Sequence, residues 1–446
     1  MSKRLLLITG NFYPELTGIG KYNGEMIEWL SKNSFTCTVI TTFPYYPEWK
    51  VQKEYKKSRW WYKKEVRQLN DPGAKPITII RCPHYIPTSP TGLKRLLSEF
   101  TISFFAYIAV FFVLFSKRHS FVLTVAPPFE LGLLGVLYKK IRRAKFIYHV
   151  QDLQIDAARE LGMIKSSAIL KSLGVVEKYI LKNADYISTI SEGMMWKLQK
   201  KCSKKSIYFP NWVDTNLFYP MAGKGSLKQQ FGFKATDRII LYSGAIGEKQ
   251  GLKELLHVAK HFEKNDDVKF VISGSGPYKI QLVELKEKLG LENFTFLPLQ
   301  HCSKFNSFLN VADFHLILQK SKAGDLVMPS KLSTILATGG VAIVTANPGT
   351  SLYDIMNSSD MGIIVEPENQ EMLTKAIQDA LSIDTTMKKL NARKFAESNL
   401  SINMVLANFV KNALNETKLV DIRLIQQNSV IKETIDEIVR NEQLAK

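Results

Sequence analysis

The sequence predicts an α/β protein built from two domains, each a parallel β-sheet covered by helices. Three observations lead to this fold class. The length of 446 residues exceeds what a single hydrophobic core usually holds. Short apolar runs alternate with amphipathic segments, a pattern typical of parallel strands that are buried on both faces. The alternation is interrupted once, at Pro210 and Asn211, and then resumes.

Each half of the chain contributes its own set of predicted strands. In the first half they are 4–9, 36–42, 77–81, 121–125 and 145–150. In the second half they are 238–243, 269–273, 293–297, 314–318, 341–345 and 362–365. We therefore predict a first Rossmann-like domain at 1–205, a second at 206–400, and C-terminal helices at 401–446, part of which packs back on the first domain.

The composition limits the classes of partner and the cellular compartments that suit this protein. The formal net charge of +19 calls for an anionic partner: nucleic acid, an acidic membrane surface or a phosphorylated substrate. The four cysteines are widely scattered and form no C-x-x-C pair, which argues against a disulfide framework or a zinc site and favours the cytoplasm.

The segment 100–115 is the most apolar stretch of the chain. As a helix it is roughly 24 Å long, shorter than a hydrocarbon core of roughly 30 Å. Lys94 and Arg95 precede it, and Lys117 and Arg118 follow it. These flanks favour interfacial docking on an anionic membrane, while a buried core helix and a membrane span remain alternatives.

Two polar segments in the first half follow predicted strands. Gly18 and Gly20 lie in a loop that leads into a helix, where glycines let the backbone approach a ligand and free N–H groups favour phosphate oxygens; a plain tight turn is the alternative. His149, Gln151 and Asp152 cluster where a buried strand ends, and ligands bind at such strand ends in open α/β sheets. A helix cap at Asp152 and a core position for His149 are the structural alternatives.

Three segments of the second half suit a diphosphate. Gly244 and Lys249 belong to a loop between a strand and a helix, and Gly274 begins a second such loop. At the third segment, Ser330 and Lys331 open a helix, where a lysine adds charge to the positive end of the helix dipole. The alternative for this helix start is a solvated, capped helix.

These motifs together resemble the retaining glycosyltransferases of family four, which have the GT-B fold. The segment 209–214 with Phe218 and Pro220 is similar to the family stretch P-N-G-V-D-x-x-x-F-x-P at the crossing between domains. Within this family the chain resembles enzymes of bacterial colanic acid, capsule and O-antigen synthesis, which carry similar I-G-E-K-Q-G and P-S-K-L stretches. The second stretch adds Leu332 to the donor-binding candidates.

The chain departs from the family pattern at several positions. The family often has His-Asp where this chain has Gln151 and Asp152, so a histidine role does not simply transfer to His149. The family arginine of the G-R-L loop is Ala245, which leaves Lys249 as the expected phosphate contact.

The family's paired glutamates, eight positions apart, are also absent. Leu326 and Thr334 stand near their places, and Asp325 is the candidate substitute for the first carboxylate. We expect Ser330 and Lys331 to take a larger share of donor binding as a result.

The resemblance implies a two-domain enzyme whose domains face a cleft, with the donor in the second domain and the acceptor in the first. It implies transfer of a sugar from a nucleotide-diphosphate sugar, with a UDP-sugar favoured, to a lipid-linked saccharide. Lysine charge and backbone N–H groups could stabilise the leaving phosphates without a metal or another cofactor. A GT-B epimerase or sugar phosphorylase is the alternative enzyme. A nucleic-acid-binding protein is a further alternative, suggested by aromatic residues among lysines at 45–62, but no recognised nucleic-acid module accompanies them.

Overall fold

The computed structural model describes residues 3–89, 92–160, 162, 164, 166–321 and 328–414. The chain divides into two compact units. The first contains the described residues up to Pro210 and those from Leu406 onward, and the second runs from Asn211 to Val405. Residues 415–446, which belong to the predicted C-terminal helices, lie outside the described residues.

The first unit is built on an eight-stranded sheet. The strands are β1 (Arg4–Ile8), β2 (Thr36–Thr42), β3 (Lys63–Arg67), β4 (Ile77–Cys82), β5 (Phe121–Ala126), β6 (Lys145–Val150), β7 (Tyr186–Thr189) and β8 (Ser206–Tyr208). They lie in the order β3-β4-β2-β1-β5-β6-β7-β8. Neighbours are parallel except for β3, which is antiparallel to β4.

Helices connect these strands as crossovers require. They are α1 (Gly18–Lys32), α2 (Gly92–Leu114), α3 (Leu131–Arg142), α4 (Gln154–Glu160), α5 (Ser167–Asn183) and α6 (Glu192–Lys201). The central strand β1 is almost wholly apolar, and Leu5, Leu6 and Leu7 are fully inaccessible to solvent. Burial on both faces explains why β1 is a continuous apolar run rather than an alternating one.

The second unit has a six-stranded, fully parallel sheet in the order β11-β10-β9-β12-β13-β14. The strands are β9 (Arg238–Ser243), β10 (Val268–Ser273), β11 (Phe294–Leu297), β12 (Phe314–Ile317), β13 (Ala342–Thr345) and β14 (Gly362–Val365). The helices are α7 (Lys224–Gln230), α8 (Leu252–His261), α9 (Lys279–Leu289), α10 (Cys302–Val311), α11 (Lys331–Ala337), α12 (Ser351–Ser358), α13 (Gln370–Ala380) and α14 (Thr386–Phe395). The last described helix, α15 (Ile402–Leu414), begins in the second unit and ends in the first.

The two parallel sheets confirm the predicted fold class, but the boundary between the units differs from the prediction. The sequence placed the start of the second domain at 206, whereas β8 pairs in parallel with β7 in the first sheet. The chain passes to the second unit after Pro210. At the other end, Phe409 of α15 stacks on Phe209 within the first unit, with ring centroids 4.1 Å apart.

The predicted apolar helix 100–115 lies almost entirely within α2. This is the one helix in the described part of the chain that is long and apolar enough to cross a membrane, judged by length and composition. One of its faces, which includes Ile102, Ala109 and Val110, is buried, and the helix packs on β2, β4 and α3. The opposite face is exposed, so α2 is neither a fully buried core helix nor a helix free of the sheet.

Candidate functional site

The two glycine loops predicted in the second unit lie side by side. Gly244 follows β9 and Gly274 follows β10, and these two strands are neighbours. The backbone N–H of Gly244 donates to the carbonyl oxygen of Ser273 at 2.9 Å. A Cβ atom on Gly274 would lie only 1.9 Å from the Gly244 carbonyl oxygen. The close approach of the two backbones therefore requires glycine at Gly274.

Lys331 reaches the same place from the start of α11. Its Nζ lies 3.6 Å from the centroid of the Tyr242 ring and donates to the carbonyl oxygen of Leu316 at 3.1 Å. A Cβ atom on Gly244 would be 3.9 Å from this Nζ. Because Tyr242 is the second-last residue of β9 and Leu316 lies on the neighbouring β12, the carboxyl ends of the two strands hold the lysine beneath the Gly244 loop. The structure thus brings together three of the predicted donor-binding residues.

The surroundings of Lys331 leave its charge poorly compensated. Burial lowers the pKa of Lys331 to about 7. Within the described ranges no carboxylate forms an ion pair with it, and its polar contacts are one carbonyl oxygen and one ring face. Nearby His315 is buried with its pKa lowered to about 3, so it stays neutral. An anion bound beside Lys331 would restore its positive charge and gain a charge-assisted hydrogen bond.

The residues on either side of Lys331 differ in their roles. Ser330 is exposed and has helical dihedral angles, and its side chain makes no capping hydrogen bond, so the expected cap is not formed. Leu332 is buried in the hydrophobic core of the unit, so its side chain does not face a ligand. Thr334, near the place of a family glutamate, donates its hydroxyl to the Lys331 carbonyl oxygen at 2.9 Å. The hydroxyl of Thr334 therefore makes a hydrogen bond within the helix.

Two predicted residues of the second unit remain untested. Lys249 lies in a short 3-10 helix, Glu248–Gln250, after the Gly244 loop, but its side chain is outside the described part of the structure. Asp325 also lies outside the described residues. A phosphate contact by Lys249 and a catalytic carboxylate at Asp325 stay predictions.

The second unit also holds a cavity of about 510 Å³ at the carboxyl ends of β13 and β14. Asn347, Tyr353, Asp360 and Glu366 are among its lining residues. Carboxylates repel a diphosphate, so this cavity suits the donor phosphates less well than the surroundings of Lys331.

In the first unit, Gly18 and Gly20 have structural roles within their own loop. The Glu15 carboxylate is buried and accepts hydrogen bonds from the Asn11 side chain and from the backbone N–H groups of residues 45 and 46, each at 2.9 Å. A Cβ atom on Gly20 would lie 2.5 Å from the Glu15 Oε2 atom. Gly18 has a φ of +59°, which glycine adopts readily. Both glycines thus have a role in building the loop, and contact with a donor remains a prediction for them.

His149 occupies the core position that was its structural alternative. Its side chain is buried, its Nδ1 lies 3.0 Å from the Ser188 Oγ, and its ring packs against Phe209. Burial lowers its pKa to about 3, so the imidazole is neutral near pH 7. These contacts do not favour a catalytic role for His149.

Gln151 and Asp152 differ in their access to the edge of the sheet. The backbone N–H of Gln151 donates to the Ala126 carbonyl oxygen at 3.0 Å, and its side chain is buried. Asp152 is half-buried and lies near Tyr46; burial raises the pKa of Tyr46, and the Asp152 charge raises it further. Of the three residues, Asp152 is best placed to meet a ligand.

This region contains another carboxylate, Glu99, which the sequence motifs did not indicate. Glu99 lies on α2 and accepts a hydrogen bond from the Gln154 Nε2 at 3.1 Å. Burial raises its pKa to about 7, and the nearby Glu130 contributes in the same direction. The sequence carried one signal for it, because Glu99 is the only acidic residue within α2.

The residues that the structure describes contain no group of three or more His, Cys, Asp and Glu side chains that could hold a metal ion. Metal-free transfer is a prediction that rests on the charge of the lysines.

Comparison with known proteins identifies the family. Residues 224–396 match the family model "Glycosyl transferases group 1". The chain is 37% identical over 422 residues to a protein of Escherichia coli (strain K12) named as a colanic acid biosynthesis glycosyl transferase, WcaI, and the match covers 92% of this chain and 99% of that one.

Solved structures show the same fold at low sequence identity. Sucrose-phosphate synthase from Thermosynechococcus elongatus has a TM-score of 0.69 at 16% identity, covering 92% of this chain and 98% of that chain. Anabaena HepE in complex with UDP and glucose has a TM-score of 0.66 at 12% identity, covering 93% of this chain and 100% of that chain. The GT-B fold and the predicted transferase class are confirmed, and the chain belongs to the group 1 glycosyl transferases.

Proposed function

We propose that this glycosyltransferase moves a sugar from a nucleotide-diphosphate sugar, specifically a UDP-sugar, to a lipid-linked saccharide during the synthesis of a bacterial surface polysaccharide. The observation that carries the donor assignment is the Lys331 amine held beneath the Gly244 loop without an acidic partner among the described residues. The name of the Escherichia coli relative supports the polysaccharide, and the complex of Anabaena HepE with UDP and glucose supports the nucleotide.

In the proposed reaction, the main requirement is to stabilise the negative charge of the leaving group. An acceptor hydroxyl oxygen forms a bond to the anomeric carbon as the bond from that carbon to the phosphate oxygen breaks. Negative charge then grows on the diphosphate, and a preorganised cation lowers the energy of this state. Lys331 is such a cation, the exposed Ser330 hydroxyl, which makes no capping hydrogen bond, can add a hydrogen bond, and Lys249 is the second cation of the proposal.

The proposed route retains the configuration of the anomeric carbon, and the proton of the acceptor hydroxyl passes to the leaving phosphate. No histidine base is then needed, in keeping with the buried, neutral state of His149. The proposed location is the cytoplasm, with peripheral association at the inner face of the plasma membrane, where a lipid-linked acceptor is accessible. The scattered cysteines, free in the structure, support a reducing compartment.

Donor binding is tested by calorimetric titration of UDP, GDP and their sugars into the wild-type enzyme, Lys331→Met and Lys331→Arg. We expect UDP compounds to bind and Lys331→Met to weaken them about tenfold to a hundredfold, the range for one hydrogen bond to a charged group. Lys331→Arg keeps the positive charge and should therefore lose less affinity for UDP compounds. Lys260→Met is the matched control, because Lys260 lies in the same unit in an exposed ion pair with Glu263.

Product analysis separates the enzyme classes. A transferase releases UDP and lengthens the saccharide by one sugar, whereas an epimerase converts the UDP-sugar without an acceptor and a phosphorylase exchanges sugar with inorganic phosphate. Mass spectrometry of the lipid-linked fraction detects the lengthened product. Equal donor affinity in the wild-type enzyme and in Lys331→Met would rule out the role given to this lysine.

A further inference from the structure

The exposed face of α2 carries a continuous apolar stripe. Its residues recur at helical spacing along the whole helix and just beyond its end: Leu97, Phe100, Phe104, Tyr107, Phe111 and Phe115. All are at least half exposed, and Phe100 and Phe115 are 65% and 76% exposed. A stripe of this kind on one side of a helix, with the other side packed on a sheet, marks an interaction surface.

A second exposed apolar element lies beside this stripe. Trp60 and Trp61 are adjacent and are 73% and 76% exposed. The next residue, Tyr62, donates its hydroxyl to the carbonyl oxygen of Phe105 on α2 at 2.9 Å. Its ring also packs edge-on against the Phe105 ring. Tyr62 therefore attaches the tryptophan pair to the middle of α2.

Positive charge surrounds both elements. Lys94 and Lys117 flank the stripe, and neither forms an ion pair with a carboxylate in the described part of the chain. The Arg59 guanidinium lies 4.1 Å from the centroid of the Trp60 ring. Tryptophan rings combined with cations at the edge of an apolar surface are typical of side chains in the headgroup layer of a membrane.

The orientation of α2 connects this surface to the candidate acceptor region. The helix follows β4, and Glu99 in its second turn is bonded to Gln154 of α4, which follows β6. The start of α2 thus lies at the carboxyl edge of the first sheet, the edge that also carries Asp152. A membrane along the stripe would lie next to that edge.

We propose that α2 and the Trp60–Trp61 pair form one docking face for an anionic lipid bilayer, with the helix lying in the plane of the headgroups. The choice of a bilayer follows from charge complementarity and from the position of cations around the apolar residues. The inference deepens the proposed function, since it names the surface by which a lipid-linked acceptor is reached.

The test is sedimentation of the full chain with vesicles of phosphatidylcholine alone or mixed with phosphatidylglycerol. We expect binding to the anionic vesicles, reversed by high salt. The variant Trp60→Ala/Trp61→Ala should bind at least about tenfold more weakly, because it removes two interfacial side chains. The variant Lys94→Gln/Lys117→Gln should lose about fivefold in affinity for anionic vesicles for each cation that is removed.

A matched control is available within the same unit. Trp196 on α6 is also exposed and is covered by a cation, since the Lys200 Nζ lies 3.3 Å from the centroid of its ring. It belongs to a helix that packs on β7 and β8, at the other end of the sheet from β2 and β4. Trp196→Ala should therefore bind vesicles like the wild-type protein. Lipids with brominated chains should quench the fluorescence of Trp60 and Trp61 and leave that of Trp196 unchanged.

Two results would overturn the inference. One is unchanged vesicle binding in Trp60→Ala/Trp61→Ala together with normal folding by circular dichroism. The other is a protein that ignores vesicles and forms a dimer that this variant dissociates, since the face would then join two copies of the chain. UDP titration of the same variants separates this inference from the proposed function. The substituted residues are distinct from all the predicted donor-binding residues, so UDP affinity should be unchanged.

Discussion

The pKa of Lys331 predicts how donor affinity depends on pH. In the empty enzyme burial lowers this pKa to about 7, so the amine is charged at pH 6 and largely neutral at pH 8. A diphosphate beside the amine favours the charged form. Binding must therefore add a proton above pH 7 and need not add one below it. Donor affinity is expected to stay level below pH 7 and to fall as the pH rises above it.

The size of the effect follows from the same value. With a free pKa of about 7 and a much higher pKa in the complex, affinity drops about tenfold between pH 6 and pH 8. At pH 8 the binding of each donor molecule takes up about 0.9 proton. Lys331→Arg should show neither effect, because arginine stays charged throughout this range.

The assay is calorimetry with UDP-glucose in buffers of different ionisation enthalpy. A UDP-sugar is the better probe because its substituted diphosphate, unlike UDP, does not titrate near pH 7. The slope of the observed enthalpy against buffer enthalpy gives the number of protons taken up. A wild-type enzyme with no proton uptake at pH 8 and the same affinity at pH 6 and pH 8 refutes the environment assigned to Lys331.

Three further substitutions test other parts of the structure. Gly274→Ala should destabilise the protein by about 2–4 kcal/mol in urea denaturation and weaken UDP binding, since its Cβ would lie 1.9 Å from the Gly244 carbonyl oxygen; Gly174→Ala, in the interior of α5 with no atom near its Cβ, is the control and should stabilise the protein by about 0.5–1 kcal/mol. His149→Gln should leave the shape of the pH–rate profile between pH 5.5 and pH 8 unchanged, because a group with a pKa of about 3 does not titrate there; loss of a limb near pH 6.5 would show that this histidine acts as an acid or base. Glu15→Ala leaves one buried and one part-buried backbone N–H group without their acceptor and should cost about 1–3 kcal/mol of stability with UDP affinity unchanged; a loss of UDP binding in the folded variant would contradict the loop-building role.

The sequence predicted the sheets well where strands are buried on both faces. Those strands are continuous apolar runs, as β1 and β9 show. It missed β3, whose residues Lys63–Arg67 are mostly charged and none of which is buried. An edge strand needs no apolar pattern, because its pairing with β4 is what places it in the sheet. The sequence also missed β7 and β8, which are only four and three residues long, although β7 is mostly buried.

The sequence indicated which residues lie together where backbone geometry demands a particular residue type. The structure brings Gly244, Gly274 and Lys331 together, and the close approach of the two loops explains the glycine at Gly274, while contact of the three residues with a donor stays a prediction. Gly20 shows the limit of this reasoning. The space that its missing side chain leaves is filled by the Glu15 carboxylate of the same loop, and sequence patterns alone do not distinguish a ligand from a neighbouring side chain.

Contacts between distant elements explain the remaining differences. Leu332 follows two exposed or half-exposed residues, yet its side chain turns into the core. Glu99 becomes notable only because α2 brings it to Gln154, which is 55 positions away in sequence. Packing of this kind depends on the whole fold and leaves little local signal.

A crystal structure of the enzyme soaked with UDP would show where the donor phosphates bind. We expect the diphosphate between the Gly244 loop and the start of α11, with a phosphate oxygen within about 3 Å of the Lys331 Nζ. UDP bound instead in the cavity beside Asn347 and Glu366, with Lys331 still donating to the Leu316 carbonyl oxygen, would contradict this expectation.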